Sequence, residues 1–457
     1  MPKKTVTSAK TNTTKKQEKK KVAIVGGGWT GLTAAYRLVK AGYDVEIFEA
    51  GPTLGGLAAG FTLKDGTPLE RAYHFLYTTD NYMIDMAEEL GVRDKLNFFP
   101  SSIGAFYEGK MYPFTTAKDL LTFGPLNPVD RLRTGLTGVR LLTIKKWQPL
   151  TQITAYEWLC KWNGKRATDL IWKPLLVGKF DVYWDKITMA WLWTRIHQRQ
   201  TSKKKGEASE RLGYFDGGFQ TMVKRWEEEL VTRGVNIHLN AKIETFTEDK
   251  DRPAIMFEGK KHTFDAVLAA LPSNAFARLG ESHPAMTKKY SQQLMNIDYL
   301  AAVVMVFTYK KPLTDRYWHQ IHDEGAPFLV MLSLDSLVGK DKVNGHHIYY
   351  IGDYVQNDNE LMAMSEDQIR KRWYAGAKKL FPDFDEKLVE ESYVFKFRNA
   401  QHIVGIGYEK QIPKVRTPLK GFYMSNFSQI FPEDRGTNYA VREGHAVAKM
   451  IHDDLSK

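Results

Sequence analysis

Six residues near the start of the chain, Gly26-Gly27-Gly28-Trp29-Thr30-Gly31, have the spacing of a turn that brings backbone against a phosphate. They follow Val22-Ala23-Ile24-Val25, a β-branched run that predicts a buried strand. They precede Leu32–Lys40, where Leu32, Ala35, Leu38 and Val39 share one helical face. Gly26 permits the tight turn, Gly28 lets a pyrophosphate approach the backbone, and Gly31 lets helix and strand pack closely. The helix start supplies free N–H groups and partial positive charge. A second strand, Asp44–Phe48, ends at Glu49, 23 residues past Gly26. An acid at that place accepts hydrogen bonds from ribose hydroxyls and repels a 2′-phosphate, which predicts FAD or NAD rather than NADP.

Further segments follow, several of them glycine-rich. Gly51-Pro52-Thr53-Leu54-Gly55-Gly56 follows Glu49 at once. Glu70-Arg71-Ala72-Tyr73-His74, Phe215-Asp216-Gly217-Gly218-Phe219-Gln220 and Ala241-Lys242-Ile243-Glu244 come later. Gly421-Phe422-Tyr423 and Pro432-Glu433-Asp434-Arg435-Gly436-Thr437-Asn438-Tyr439-Ala440-Val441 lie near the end. Through these motifs the chain, from about Val22 to Asp454, resembles the flavin-containing amine oxidase superfamily. That group includes protoporphyrinogen oxidases and carotenoid (phytoene) desaturases. The resemblance implies non-covalent FAD, held at Gly26, Gly28, Trp29, Thr30, Gly31, Glu49, Gly55 and Gly56. It also implies a backbone contact from Ile243 to adenine, with Asp434, Gly436, Asn438 and Ala440 at the flavin. Met424-Ser425-Asn426 stands where the family has Ala-Gly-Asp/Glu, and Asp434 takes the acidic role in this reading.

The last motif makes physical sense as the start of a terminal helix. Hydride acceptance places negative charge on the flavin N1–C2=O edge, and a helix N-terminus stabilises it. No side-chain catalytic set stands out, as expected where the cofactor does the chemistry. His74 lies near the ring by family position. It is read either as a proton carrier or as a hydrogen-bonded structural histidine. Arg195 and Arg199 sit at i, i+4 on one helical face and are the candidates for a substrate carboxylate or phosphate, or else a solvated face. Adjacent His346 and His347 point to opposite faces of a strand, so no metal site is expected.

These residues need elements to position them. The chain has 457 residues, 43% hydrophobic and 26% charged, which is globular composition. The expected fold is α/β, a Rossmann-like FAD-binding domain interleaved with an α+β substrate-binding domain. The expected division is a disordered basic tail over 1–21, FAD-binding parts over 22–95, 213–290 and 401–457, a helical substrate part over 96–212 and a sheet part over 291–400. Helix over Gln220–Arg233 and strands over Val235–Leu239, Ala266–Leu271, 299–309 and 347–354 follow from periodicity. The formal net charge is +12, of which the tail carries +7, so the folded body offers little basis for nucleic-acid binding. The single Cys160 excludes an internal disulfide.

Asp130–Trp147 is basic and amphipathic, with Leu132, Leu136, Val139 and Leu142 along one side. Two readings stay open: a helix lying in a membrane surface, or a helix packing inward. The expected activity is hydride removal from a bulky, lipophilic small-molecule substrate into flavin N5, as in a porphyrinogen oxidase or carotenoid desaturase. An amine oxidase and a non-redox flavoenzyme such as a UDP-sugar mutase are the alternatives. The expected location is the cytoplasm, with the inner face of a membrane as a contact; the oligomeric state stays open.

Overall fold

The computed structural model describes residues 19–203, 206–207, 209–323 and 328–457. The basic tail expected over 1–21 lies outside the described residues as far as 18. Lys21 already belongs to the first strand, where it pairs with Asp44.

Lys21–Val25 occupies the centre of a five-stranded parallel sheet. The order is 236–238, 44–48, 21–25, 266–269, 422–424. Val22, Ala23 and Ile24 are fully buried, as are Ala266 to Ala269. Continuous apolar runs of this kind are what a parallel sheet covered on both faces requires. The helices Trp29–Lys40 and Thr437–Leu455 pack on each other and run in the same direction. Thr30 O lies only 2.8 Å from where a Cβ on Gly444 would stand. Farther along, Arg37 Nε donates to His445 Nδ1 at 2.8 Å, and Tyr43 Oη is 3.0 Å from His452 Nδ1.

The second layer is a seven-stranded sheet in the order 389–402, 299–309, 347–356, 330–333, 318–321, 103–107, 110–113. It is antiparallel apart from the parallel pair 318–321 with 103–107. All eleven residues of Tyr299–Tyr309 are buried. Four helices, Pro128–Thr143, Ala155–Asn163, Lys165–Phe180 and Met189–Thr201, form a lobe around Trp158, Phe180 and Trp191. The mixed α/β architecture agrees with the expectation from sequence.

The region from 96 differs from the helical reading. It opens with three strands, Leu96–Pro100, Ile103–Tyr107 and Lys110–Pro113. The first pairs with Arg211–Phe215 and the second with Trp318–Ile321, more than a hundred residues away in sequence. Short strands with distant partners carry no local signal strong enough to outweigh a Leu- and Trp-rich surrounding. The strands at 236–238 and 266–269 are also shorter than expected.

One buried carboxylate ties the first segment of the chain to the turn at 215–219. Glu70 is 1% exposed. Its Oε2 accepts from Tyr214 Oη at 2.6 Å, and its Oε1 accepts from Phe219 N at 2.6 Å. Glu70→Ala leaves both donors unpaired inside the protein, at about 1–3 kcal/mol each. The expected loss of stability is therefore about 2–5 kcal/mol in denaturant unfolding. Glu70→Gln keeps one acceptor and loses less. An unchanged midpoint for Glu70→Ala would show that this knot does not hold the segments together.

Candidate active site

Two helices begin without a side-chain cap. Gly28 precedes Trp29–Lys40 and Gly436 precedes Thr437–Leu455, and neither helix has an acid in its first turn. The first-turn N–H groups of a helix have no intrahelical acceptor. Uncapped, they form a donor array suited to anionic or carbonyl oxygen. A Cβ added at Gly436 would meet nothing within 4 Å, so the second helix opens onto free space.

The glycine turn is built for close approach. Gly55 N donates to Gly27 O at 2.9 Å, and a Cβ on Gly56 would lie 3.1 Å from Gly28 Cα. Gly56 has φ +60°, a left-handed conformation that suits glycine. A Cβ on Gly31 would stand 2.1 Å from Gly26 O, so this helix packs against its strand only as glycine. Trp29 is buried against Trp226, with centroids 5.0 Å apart, and its Nε1 has no partner among the described residues. Thr30 is half-buried in the first turn.

Glu49 is already engaged by backbone. Its Oε2 accepts from Gly27 N and its Oε1 from Gly51 N, each at 2.7 Å. A carboxylate has about four lone-pair sites, so two remain for hydroxyls. Asn240 N donates to Gly51 O and Ala241 N to Glu49 O, which draws the segment holding Ile243 alongside this turn. Ile243 itself packs in the same apolar cluster as Phe48. Cradle, acid and donor arrays fit FAD: the first helix would hold its phosphates, Glu49 its ribose, and the start of the second helix would offer donors to the flavin.

Beyond the second helix lies a cavity whose wall includes Leu57, His74, Tyr77, Ala302, Asp353, Asp434 and Gly436 to Tyr439. Asn438 Oδ1 accepts from Met83 N at 3.1 Å, and Ala440 N donates to Gly436 O at 3.0 Å, which holds the helix start in place. His74 Nδ1 lies 2.7 Å from Ala72 O. Burial, opposed by that hydrogen bond and reinforced by Arg435, pulls His74 down to about 4, so the ring is neutral at physiological pH.

Asp434 and the two arginines come together differently from a simple row on a helix. Asp434 is buried, and its carboxylate meets Lys179 Nζ at 3.0 Å, Trp191 Nε1 at 3.3 Å and Arg195 at 3.7 Å. Arg199 instead makes a two-pronged pair with Glu210, at 3.1 and 2.9 Å. Lys179, Arg435 and Tyr354 were not singled out from sequence. Lys179 is one lysine among many at a helix end, and only the packing of Lys165–Phe180 against the second sheet brings it to the cavity.

Adjoining is a second cavity of about 350 Å³. Its lining includes Trp172, Trp191, Leu192, Ile196, Trp318 and Leu329. The two share Tyr73, Phe75, Lys179, Arg195 and Tyr354.

Comparison with known proteins agrees with this geometry. Residues 29–428 match the family described as flavin containing amine oxidoreductase. The coproporphyrinogen III oxidase of Staphylococcus aureus is 22% identical over 322 residues, which cover 63% of this chain and 68% of that one. The chloroplastic/chromoplastic 15-cis-phytoene desaturase of an Oncidium hybrid cultivar is 21% identical and covers 95% of this chain and 78% of its own. Among solved structures, the cyclohexylamine oxidase of Brevibacterium oxydans IH-35A superposes with a TM-score of 0.73 at 14% identity, over 96% of this chain and all of that one (100%). With that match spanning most of its length, the chain belongs to the flavin containing amine oxidoreductases and is an FAD-dependent oxidoreductase.

Proposed function

We propose that this enzyme dehydrogenates a bulky, largely apolar small molecule seated in the aromatic-lined cavity. The observation that carries this reading is the direct junction of that cavity with the one at the open start of the helix Thr437–Leu455, across Tyr73, Phe75 and Tyr354. A pocket lined by tryptophan, leucine and isoleucine favours an extended apolar body over a small amine. When bound, FAD supplies the hydride acceptor.

The chain's own residues do the rest. Gly28, Gly55 and Gly56 admit the phosphates, and Glu49 accepts from the ribose. The free N–H groups at Thr437 and Asn438 meet the oxygen edge where negative charge develops. The Tyr299–Tyr309 strand closes the opposite wall through Ala302 and Val304. His74, held neutral, serves as a hydrogen-bonding part of the wall.

The membrane contact rests on one helix whose faces are reversed. Pro128–Thr143 buries Thr134, Thr137 and Leu141, yet leaves Val129 73%, Leu132 62%, Leu136 61% and Val139 60% exposed. Leu121 and Leu142 extend the stripe, and exposed Lys118, Lys145 and Lys146 flank it. Burying threonine and exposing leucine is unfavourable in water, and it becomes favourable where the stripe enters an apolar phase. The helix packs on Met189–Thr201, which lines the aromatic cavity: Leu141 O accepts from Trp193 Nε1 at 3.2 Å and lies 3.0 Å from His197 Nε2. An apolar substrate would then pass from the bilayer surface along this lobe. No helix among the described residues is long and apolar enough to cross a membrane.

Four outcomes test these statements. Product should form with matching consumption of an electron acceptor; product without acceptor consumption would favour a mutase. Glu49→Arg should release FAD, because the cation cannot accept from Gly27 N, Gly51 N or ribose, and full FAD occupancy would overturn the ribose assignment. His74→Gln should leave the shape of the pH–rate profile between about pH 5 and 8 unchanged, since a histidine that titrates near 4 does not change its protonation state there. Wild-type protein should sediment with phosphatidylglycerol vesicles and be released by salt, whereas Leu132→Glu/Leu136→Glu should stay in the supernatant with FAD bound. Wild-type protein remaining in the supernatant at low salt would overturn the membrane contact.

A further inference from the structure

Lys179 and Arg195 stand where the two cavities meet, with Asp434 and Arg435 beside them in the wall of the first. Lys179 and Arg195 share Asp434. Arg435 has only neutral acceptors: its Nε donates to Gln401 Oε1 at 3.1 Å and its Nη2 to Tyr354 Oη at 2.8 Å. Neighbouring acids do not complete the balance. Glu210 is taken by Arg199, and Asp80, which accepts from Tyr77 N and Gln198 and is raised to about 6 by burial, faces Arg195 and offsets only part of the charge. Asp353 is pushed up to about 7 by burial and by Asp181, and so carries only part of a charge.

The neighbouring side chains register the resulting field. Burial alone would raise the Tyr354 phenol, yet Arg435 and Lys179 pull it below its ordinary value. Burial also raises Asp434, and Lys179, Arg195 and Arg435 nonetheless hold it well below the usual carboxylate range. Unbalanced positive charge in a confined, apolar-walled space is costly unless an anion completes it.

We propose that Lys179, Arg195 and Arg435 receive an oxyanion carried by the apolar substrate, so that the enzyme's substrates are bulky apolar acids. This rests on the reading that the aromatic cavity holds the substrate. The body of the acid lies among Trp172, Trp191, Ile196 and Trp318, and its head group lies between Lys179 and Arg435 beside Tyr354. Arg195 is thereby a substrate contact, whereas Arg199, neutralised by Glu210, is a support for the wall. Carboxylate and phosphate share this chemistry.

Calorimetric titration of the holoprotein separates the possibilities. The probes are adamantane-1-carboxylate, adamantane-1-phosphonate and 1-adamantanemethanol, with the flavin absorption band recorded in parallel. At least one acid should bind roughly tenfold or more tightly than the alcohol, the size expected for a charge-assisted hydrogen bond. Which acid binds better identifies the head group. Lys179→Met and Arg435→Gln should each remove that preference, and Arg435→Lys should restore part of it. Flavin content and melting temperature of each variant report whether it has folded with its cofactor.

Equal affinity for alcohol and acids would overturn the proposal. So would an acid preference that survives both Lys179→Met and Arg435→Gln, or the loss of FAD in those variants with acid binding intact. Calorimetry reads probe binding whether or not the flavin is present. Failure of the anion site is therefore distinguishable from failure of the FAD-dependent reading.

Discussion

A buried carboxylate sets the geometry of the cavity. Asp434 sits three residues before Thr437, where the helix Thr437–Leu455 begins, and is only 4% exposed. An ion in such a place costs several kcal/mol unless it is paired and hydrogen-bonded. Its partners come from two other helices: Lys179 near the end of Lys165–Phe180, and Trp191 and Arg195 on Met189–Thr201. The helical lobe is thereby fastened to the start of the terminal helix. Loosening any partner would leave charge unpaired in the wall, so these pieces keep a fixed relation. The open N-terminus, the Tyr299–Tyr309 strand and the aromatic cavity are all arranged around that joint.

The rest of the cradle depends on the absence of side chains. Gly28 and Gly56 approach so closely that a single added carbon would stand 3.1 Å from the facing backbone. Glu49 spends two of its lone-pair sites holding the turn itself, through Gly27 N and Gly51 N. One carboxylate thus shapes the turn and keeps lone pairs free for the hydroxyls of the proposed ribose. Catalysis by such a site is a matter of placing donors and excluding water, which explains why the cavity wall contains no nucleophile–base pair. The neutral histidine and the buried tyrosines in the wall agree with that division of labour.

The helical lobe has two apolar faces. Inward, it lines a cavity with tryptophan and leucine; outward, Pro128–Thr143 presents valine and leucine while its threonines are buried. The cations of that helix do not cluster under the stripe. Arg133 donates to the carbonyls of Trp162 and Lys161, and Arg140 stacks 3.4 Å over the Trp162 ring. The apolar stripe is consequently continuous, with lysines only at its margins. The proposed substrate, an acid with an apolar body, would suit the apolar lining of the cavity with its body and the buried cations with its head group.

How much of this was readable from the chain depends on the range of the interactions involved. Gly26–Gly31, Glu49 and the strand Val22–Val25 are local: turn, helix start and ribose acid lie within about thirty residues, and steric and dipole arguments alone decide their roles. The helix beginning after Gly436 and the face formed by Met222, Val223, Trp226 and Leu230 were legible for the same reason. The strands at 96–113 were not, because their partners at 211–215 and 318–321 are far along the chain and pairing energy is absent from local propensity. Arg195 and Arg199 looked alike from their spacing, yet one meets Asp434 and the other Glu210. The amphipathic pattern of 130–147 was plain, but periodicity only states that a helix has two faces. Which face meets the protein depends on what else packs there. The sequence by itself determined the nucleotide cradle, because steric limits on backbone approach are local. The tertiary structure alone decided the charge balance of the cavity and the outward turn of Pro128–Thr143, because the energy of a charge or an apolar surface is set by whatever the fold brings against it.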